Sequence, residues 1–130
     1  MKIEVSNGEI IDKYTILEIK RTEIKDATKR VNVEHEYSVL TPVVDYIYEK
    51  AKSKKELKKL HEALLQVNKK LWKIEDDIRM CERTKNFEKT FIELARAVYF
   101  TNDVRADIKK QINVFTGSDL VEEKSYEDYK

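Results

Sequence analysis

The chain has 130 residues, 41% apolar and 39% charged, with 26 Lys and Arg set against 25 Asp and Glu. That length suits one domain around a single core. The near-zero net charge excludes both charge-driven disorder and a globally basic nucleic-acid binder. With 2 Gly and 1 Pro, the turn residues an all-β domain needs are missing, so composition predicts a helical bundle.

The lone cysteine, Cys81, cannot form an intramolecular disulfide, and nothing points to an oxidising compartment. Met1–Ile10 is too polar for a signal peptide, and no apolar run reaches membrane-spanning length. A cytoplasmic protein without a membrane partner is expected. His35 and His61 are distant in sequence, no P-loop or GxGxxG occurs, and no zinc-type spacing exists. No metal and no cofactor are predicted.

Met1–Val5 alternates Ile3 and Val5 with Lys2 and Glu4, as a short strand or an extended arm would. Ser6-Asn7-Gly8-Glu9 reads as a capping box, with Ser6 capping early amides and Glu9 reaching back to the cap amide. Helix 1 follows, roughly Asn7 to Asp26. Ile10, Tyr14, Leu17 and Ile24 share one face, with Ile11 beside them, while Ile16 and Ile19 lie opposite. A helix apolar on two sides is central in its bundle or shared with another subunit. A homodimer using helix 1 or the Met1–Val5 arm is therefore expected.

Helix 2 starts near Ala27 and carries Val31, Tyr37 and Leu40. Thr41-Pro42 fits an N-cap followed by Pro at the first helical position, which predicts a separate short helix over Val43–Lys52 with Val44, Ile47 and Tyr48 facing in. A kinked continuous helix is the alternative. Ser53-Lys54-Lys55-Glu56 is a second capping box. It opens a seam of Leu57, Leu60, Leu64, Val67, Leu71, Ile74, Ile78 and Cys81 at unbroken three–four spacing. After a polar connection over Arg83–Asn86, helix 4 repeats the pattern with Phe87, Phe91, Leu94, Val98, Thr101, Arg105, Ile108, Ile112 and Phe115. Gly117 is its C-cap. The short connection makes helices 3 and 4 an antiparallel hairpin, with Ile78 near Phe91, Leu71 near Val98 and Leu64 near Arg105. Ser118–Lys130 is an acidic tail. The predicted fold is all-α, an antiparallel bundle of about four main helices in one domain over residues 1–130.

The pattern breaks at Thr101 and Arg105, which stand where the seam calls for apolar residues, with Asn102 beside them. A buried Arg is costly unless paired and hydrogen-bonded. Partners are available in the stripe Asn68, Trp72, Glu75, Arg79 and Glu82 on helix 3, and in Glu9, Asp12 and Lys13 on helix 1. One reading is a structural network that fixes register between helices. The other is a pocket in which Arg105, Arg79 and Lys109 hold an anionic small molecule and Asn102 or Glu75 orients it. The candidate ligand-binding residues are Arg105, Arg79, Glu75, Asn102, Lys109, Asp12, Lys13 and Glu9; no catalytic residue is assigned.

Other features read as structure. Glu9 with Asp12, and Glu75 with Asp76, offer acids from two helices, but the Glu-x-x-His of helical di-metal sites is missing. Trp72 and Cys81 read as core residues. The eight lysines between Lys50 and Lys70 are spread around their helices without interleaved aromatics, which is a solvated face rather than a nucleic-acid footprint.

Three blocks carry a resemblance. Val5–Lys20 reads V-S-x-G-E-[LI]-[LI]-D-K-x-T-I-L-E-I-K, Asn68–Glu82 reads N-x-x-L-W-x-I-E-D-D-I-R-x-x-E, and Phe91–Asn113 contains N-D-x-R-A-x-I-K. Together these resemble an uncharacterised family of small helical domains of unknown function in bacteria and their phages. The resemblance spans nearly the whole chain and is thinnest over Val31–Leu57. It implies a domain encoded near, or fused to, glycosyltransferase or tetratricopeptide modules. It thus implies a non-catalytic binding or assembly module, accessory to surface-sugar metabolism or to phage–host interaction. The polar residues singled out above lie inside its blocks, which implies that they form one site. A fainter similarity joins Ile10–Leu17 to the first helix of helical chorismate mutases, and the remaining blocks do not follow that pattern.

Overall fold

A computed structural model describes residues 1–130 and places them in four helices, α1 (Asn7–Glu23), α2 (Ala27–Lys50), α3 (Lys54–Thr84) and α4 (Lys89–Thr116). No strand is present, and Met1–Val5 is an exposed arm. The expected all-α bundle with a long α3–α4 hairpin is what forms. No helix is long and apolar enough to cross a membrane.

Local chemistry sets most boundaries. Ser6, Asp26 and Ser53 accept hydrogen bonds from the amides of Glu9, Lys29 and Glu56, so each cap satisfies an amide that the helix itself leaves open. Gly117 ends α4 in the left-handed region at φ 64°, as its position predicted. Lys85 ends α3 the same way at φ 57°.

Three boundaries and the closure of the capping boxes differ from the sequence reading. Helix α1 stops at Glu23, because Ile24 turns extended and only its amide still reaches the Lys20 carbonyl. Helix α2 runs unbroken through Pro42, so the continuous helix named as the alternative forms in place of a separate Val43–Lys52 helix. The ring removes one amide donor, but Pro42 lies exposed, where water satisfies the freed carbonyl. The Thr41 hydroxyl also donates to the Tyr37 carbonyl at 2.8 Å. Phe87 lies outside α4 and is 48% exposed, packing edge-on against Phe91 at 5.4 Å. The capping boxes are half closed, since the carboxylates of Glu9 and Glu56 pair with Lys109 and Lys59 instead of the cap amides.

The strongest packing is between α3 and α4, and α1 touches all three other helices. The side of α1 that carries Ile19 is therefore covered within one chain, and Ile19 is itself buried. The two-sided apolar pattern marked a central helix, and it does not call for a second subunit. The core joins Ile11 of α1, Ile47 of α2, Leu57 and Leu64 of α3, and Ile108 and Ile112 of α4. Leu71, a seam residue one turn beyond Val67, is only half-buried and lines a cleft. Leu64→Ala should thus cost about 2–5 kcal/mol, and Leu71→Ala less than half as much; urea denaturation of the two variants measures the difference. Equal losses would place the core further along the hairpin than Leu64.

Candidate functional site

Helix α1 brings Gly8, Asp12 and Thr15 to one face at helical spacing, and α4 answers with Arg105, Lys109 and Asn113. The two helices run antiparallel here. A Cβ on Gly8 would fall 2.4 Å from the Lys109 carbonyl oxygen and 2.9 Å from Asn113 Oδ1. Glycine is thus what allows the backbones to touch. The Gly8 amide donates to Asn113 Oδ1 at 2.6 Å, the Asn7 amide to Ser118 Oγ at 3.1 Å, and the Glu9 amide to Ser6 Oγ at 3.2 Å. The first turn of α1 has its amides occupied, so its positive end is closed to a free anion.

One turn further in, Asp12 is 1% exposed. Arg105 grips it with two parallel hydrogen bonds, Nε to Oδ1 at 2.9 Å and Nη2 to Oδ2 at 2.5 Å. Asn68 of α3 donates to Asp12 Oδ1 and to Thr15 Oγ1, both at 2.8 Å, and Thr15 donates onward to the Asp12 carbonyl at 2.7 Å. Through Asp12, Arg105 is joined to Asn68, one turn along from Leu64, so the hairpin register is close to the predicted one. Lys109 Nζ lies 2.7 Å from Glu9, 3.4 Å from Glu122 and 4.0 Å from Asp12.

Hydrogen bonding to Asp12 raises the Arg105 pKa against the opposing effect of burial. Burial pulls Lys109 down, but the hydrogen bond to Glu9 and the charges of Asp12, Glu9 and Glu122 outweigh it, and the net shift is upward. Both cations therefore stay charged through the neutral range. No buried side-chain nitrogen or oxygen lacks a partner.

The sequence profile of a family of unknown function, DUF6165, matches residues 1–129. The chain belongs to that family. No curated protein and no solved structure matches it. The finding confirms the uncharacterised-family part of the resemblance and adds no activity to it.

Within this DUF6165 chain the predicted residues divide. Arg105, Lys109, Asp12 and Glu9 form the buried network. Glu75, Arg79 and Asn102 do not join it but line an adjoining cleft of about 470 Å³, together with Trp72, Asn68 and Arg105. Arg79 is largely exposed and pairs with Glu75 on its own helix. Lys13 points away and pairs with Glu36 of α2 at 3.2 Å. No group of three or more His, Cys, Asp or Glu converges to hold a metal. Of the acids offered for one, Glu9, Asp12 and Glu75 are engaged by Lys109, Arg105 and Arg79.

Sequence reasoning missed a second polar tie. His61 of α3 meets Tyr48 Oη of α2 through Nδ1 at 2.8 Å and Glu18 of α1 through Nε2 at 3.2 Å. The signal was present, since His61 stands beside the seam residues Leu60 and Leu64, but the histidines were weighed only for zinc spacing. Tyr14 closes the same region, stacked on Tyr37 at 4.6 Å with its hydroxyl 3.0 Å from Thr41 Oγ1. Asn113 and Gly8 were missed as well; a small residue four positions before Asp12 on its face was the readable sign.

Two tests follow from these contacts. Asp12→Ala should cost about 3–5 kcal/mol, because it strips the partner from Arg105 and from the buried Lys109. A double-mutant cycle with Arg105→Met should show coupling above about 1 kcal/mol; additivity would mean that the pair does not hold the helices. Burial raises the pKa of Tyr14 and of Tyr48 from 10.0 to about 12. Their contribution to stability is whole below pH 10.0 and is lost as pH climbs through about 12. Tyrosine absorbance titrated alongside circular dichroism should show these hydroxyls ionising only as the helices melt.

Proposed function

We propose that the chain is a non-catalytic assembly module of the cytoplasm that works as a homodimer joined through the distal half of the α3–α4 hairpin. One observation carries this reading. No hydrogen bond or ion pair links α1 or α2 to α3 beyond Asn68, or to α4 before Arg105. The central apolar cluster likewise takes its α3 members from Leu57–Val67 and its α4 members from Ile108–Phe115. The 16 residues of α3 beyond Asn68, Lys69–Thr84, therefore project about 24 Å as half of a two-helix arm.

That arm is incompletely covered. Leu71, Ile78, Phe91, Leu94 and Val98 are half-buried, while Met80, Phe87 and Ile92 are exposed, Ile92 at 55%. Two antiparallel helices bury only one stripe of each, and a second identical arm completes a four-helix bundle with a self-complementary interface. A net charge of +1 sets up little repulsion between copies. The interface thus differs from the one first expected at α1 or the Met1–Val5 arm; the Ile19 side of α1 is covered inside the chain, while the arm stays exposed. Surface-sugar metabolism and phage–host interaction are the settings that the resemblance implies for such a module.

An anionic metabolite is the competing ligand for the buried cluster, and the charges there oppose it. Arg105 and Lys109 face three carboxylates, those of Glu9, Asp12 and Glu122. An incoming anion would have to displace one of them.

Ile92→Asp tests the assembly. The position is exposed, so the helical spectrum should be unchanged, and analytical ultracentrifugation should show a dimer for the native chain and a monomer for the variant. A native chain that stays monomeric at high micromolar concentration overturns the reading.

A further inference from the structure

We infer that the cleft between α4 and the C-terminal segment binds an uncharged ring carrying vicinal hydroxyls, as a saccharide or the ribose of a nucleoside does. The cleft lies on one chain and needs no second copy, so the inference stands apart from the dimer.

The acidic tail is laid back along α4. Ser118 holds the Asn7 amide, Glu122 reaches Lys109, and Glu123 reaches Lys110 at 3.0 Å. Near the end of the chain, Tyr129 donates a hydrogen bond to Asp103, and its ring packs edge-on against Tyr99 at 5.3 Å and Phe100 at 5.1 Å. Between this segment and the helix a cleft of about 640 Å³ remains, inside the range of about 300–1,000 Å³ that small-molecule sites occupy.

Its lining selects a chemistry. Arg105 and Lys124 supply two positive charges, and Asp103 and Glu127 supply two negative ones. A phosphate or carboxylate would meet two carboxylates, while Arg105 is already paired with Asp12 and Lys124 stands 3.8 Å from Glu122, so neither cation is free for it. A hydroxyl both donates and accepts, so neighbouring hydroxyls find a donor and an acceptor side by side. Tyr99 and Tyr126 add ring surface for the less polar face of such a molecule.

Two groups stand ready for hydrogen bonds. Arg105 is fixed by Asp12 through Nε and Nη2, and its Nη1 makes no hydrogen bond in the chain. The network that orders α1 therefore also fixes the guanidinium of a residue that lines this cleft and its neighbours, which lowers the ordering cost of binding. Asn102, one turn earlier on α4, has no side-chain partner and offers one acceptor and two donors.

The test is a titration of the full chain, followed by amide ¹H–¹⁵N spectra, with maltose, adenosine, AMP and inorganic phosphate. Maltose or adenosine should shift the amides of Asn102, Asp103 and Tyr126. Maltose alone would make the ligand a saccharide, and adenosine alone a ribose-bearing molecule. AMP should bind more weakly than adenosine. Asn102→Ala should weaken binding about fivefold, the worth of one hydrogen bond, with the helical spectrum retained. Tyr126→Ala, at an exposed position, should weaken it as well. The inference is overturned if neither maltose nor adenosine shifts these amides at tens of millimolar. Tighter binding of AMP or phosphate than of adenosine overturns it too, as does unchanged affinity in both variants.

Discussion

Asp12 sits at 1% exposure on the central helix, and an ionised carboxylate at such a depth costs several kcal/mol unless its oxygens are filled. The partners that fill them come from different helices. Arg105 approaches from α4 and Asn68 from α3, while Thr15 relays a hydrogen bond on α1 itself. The guanidinium fork and the amide have fixed geometries, so satisfying one carboxylate fixes the rotation and height of three helices together. Apolar side chains tolerate small slips in register, and this arrangement does not. The close pass at Gly8 is part of the same constraint, because the network closes only if α1 and α4 come near enough to touch.

The position of that carboxylate divides the molecule. On one side of it lies the apolar cluster shared by all four helices. On the other, the hairpin continues with α3 and α4, met only by Ile16 of α1 at the cleft and by the C-terminal segment along α4. Helix α2 has few buried residues, Val33, Val44 and Ile47, and is held largely through α1. The Tyr14–Tyr37 stack and the Glu18–His61–Tyr48 tie make up in directed contacts what α2 lacks in apolar area.

Much of the fold was legible because it rests on periodicity. The Leu57–Cys81 seam, the serine caps and Gly117 each follow from local chemistry that sequence carries directly. Arg105 was legible as an anomaly, and Asp12 stood among its proposed partners. Pro42 was misread because a proline breaks a helix reliably only where the freed carbonyl cannot reach water, and exposure is not written in the local sequence. Phe87 fits the seam by spacing alone, yet helix α4 starts two residues later. The tail was read by its charge, and its course along α4 depends on Lys109, Lys110 and Asp103 lying in a row, which only the helix displays. His61 needed three helices brought together before its role appeared.

The two sequence readings of Arg105, structural tie or ligand contact, were posed as alternatives. The geometry settles the structural tie at one edge of the side chain and leaves the other edge without a partner. Nε and Nη2 are committed to Asp12, and that commitment neutralises the charge an anion would have sought. What remains is Nη1, a directional donor with its field largely cancelled by the carboxylate behind it. A group of that kind discriminates by hydrogen-bond geometry rather than by charge. For the same reason, replacing Arg105 disturbs fold and cleft at once, whereas Asn102, which lines both clefts, has no partner to lose and can be replaced without disturbing the fold. The same fixed guanidinium that sets the helix register is thus suited to an uncharged, hydroxyl-rich ligand and poorly suited to a phosphate.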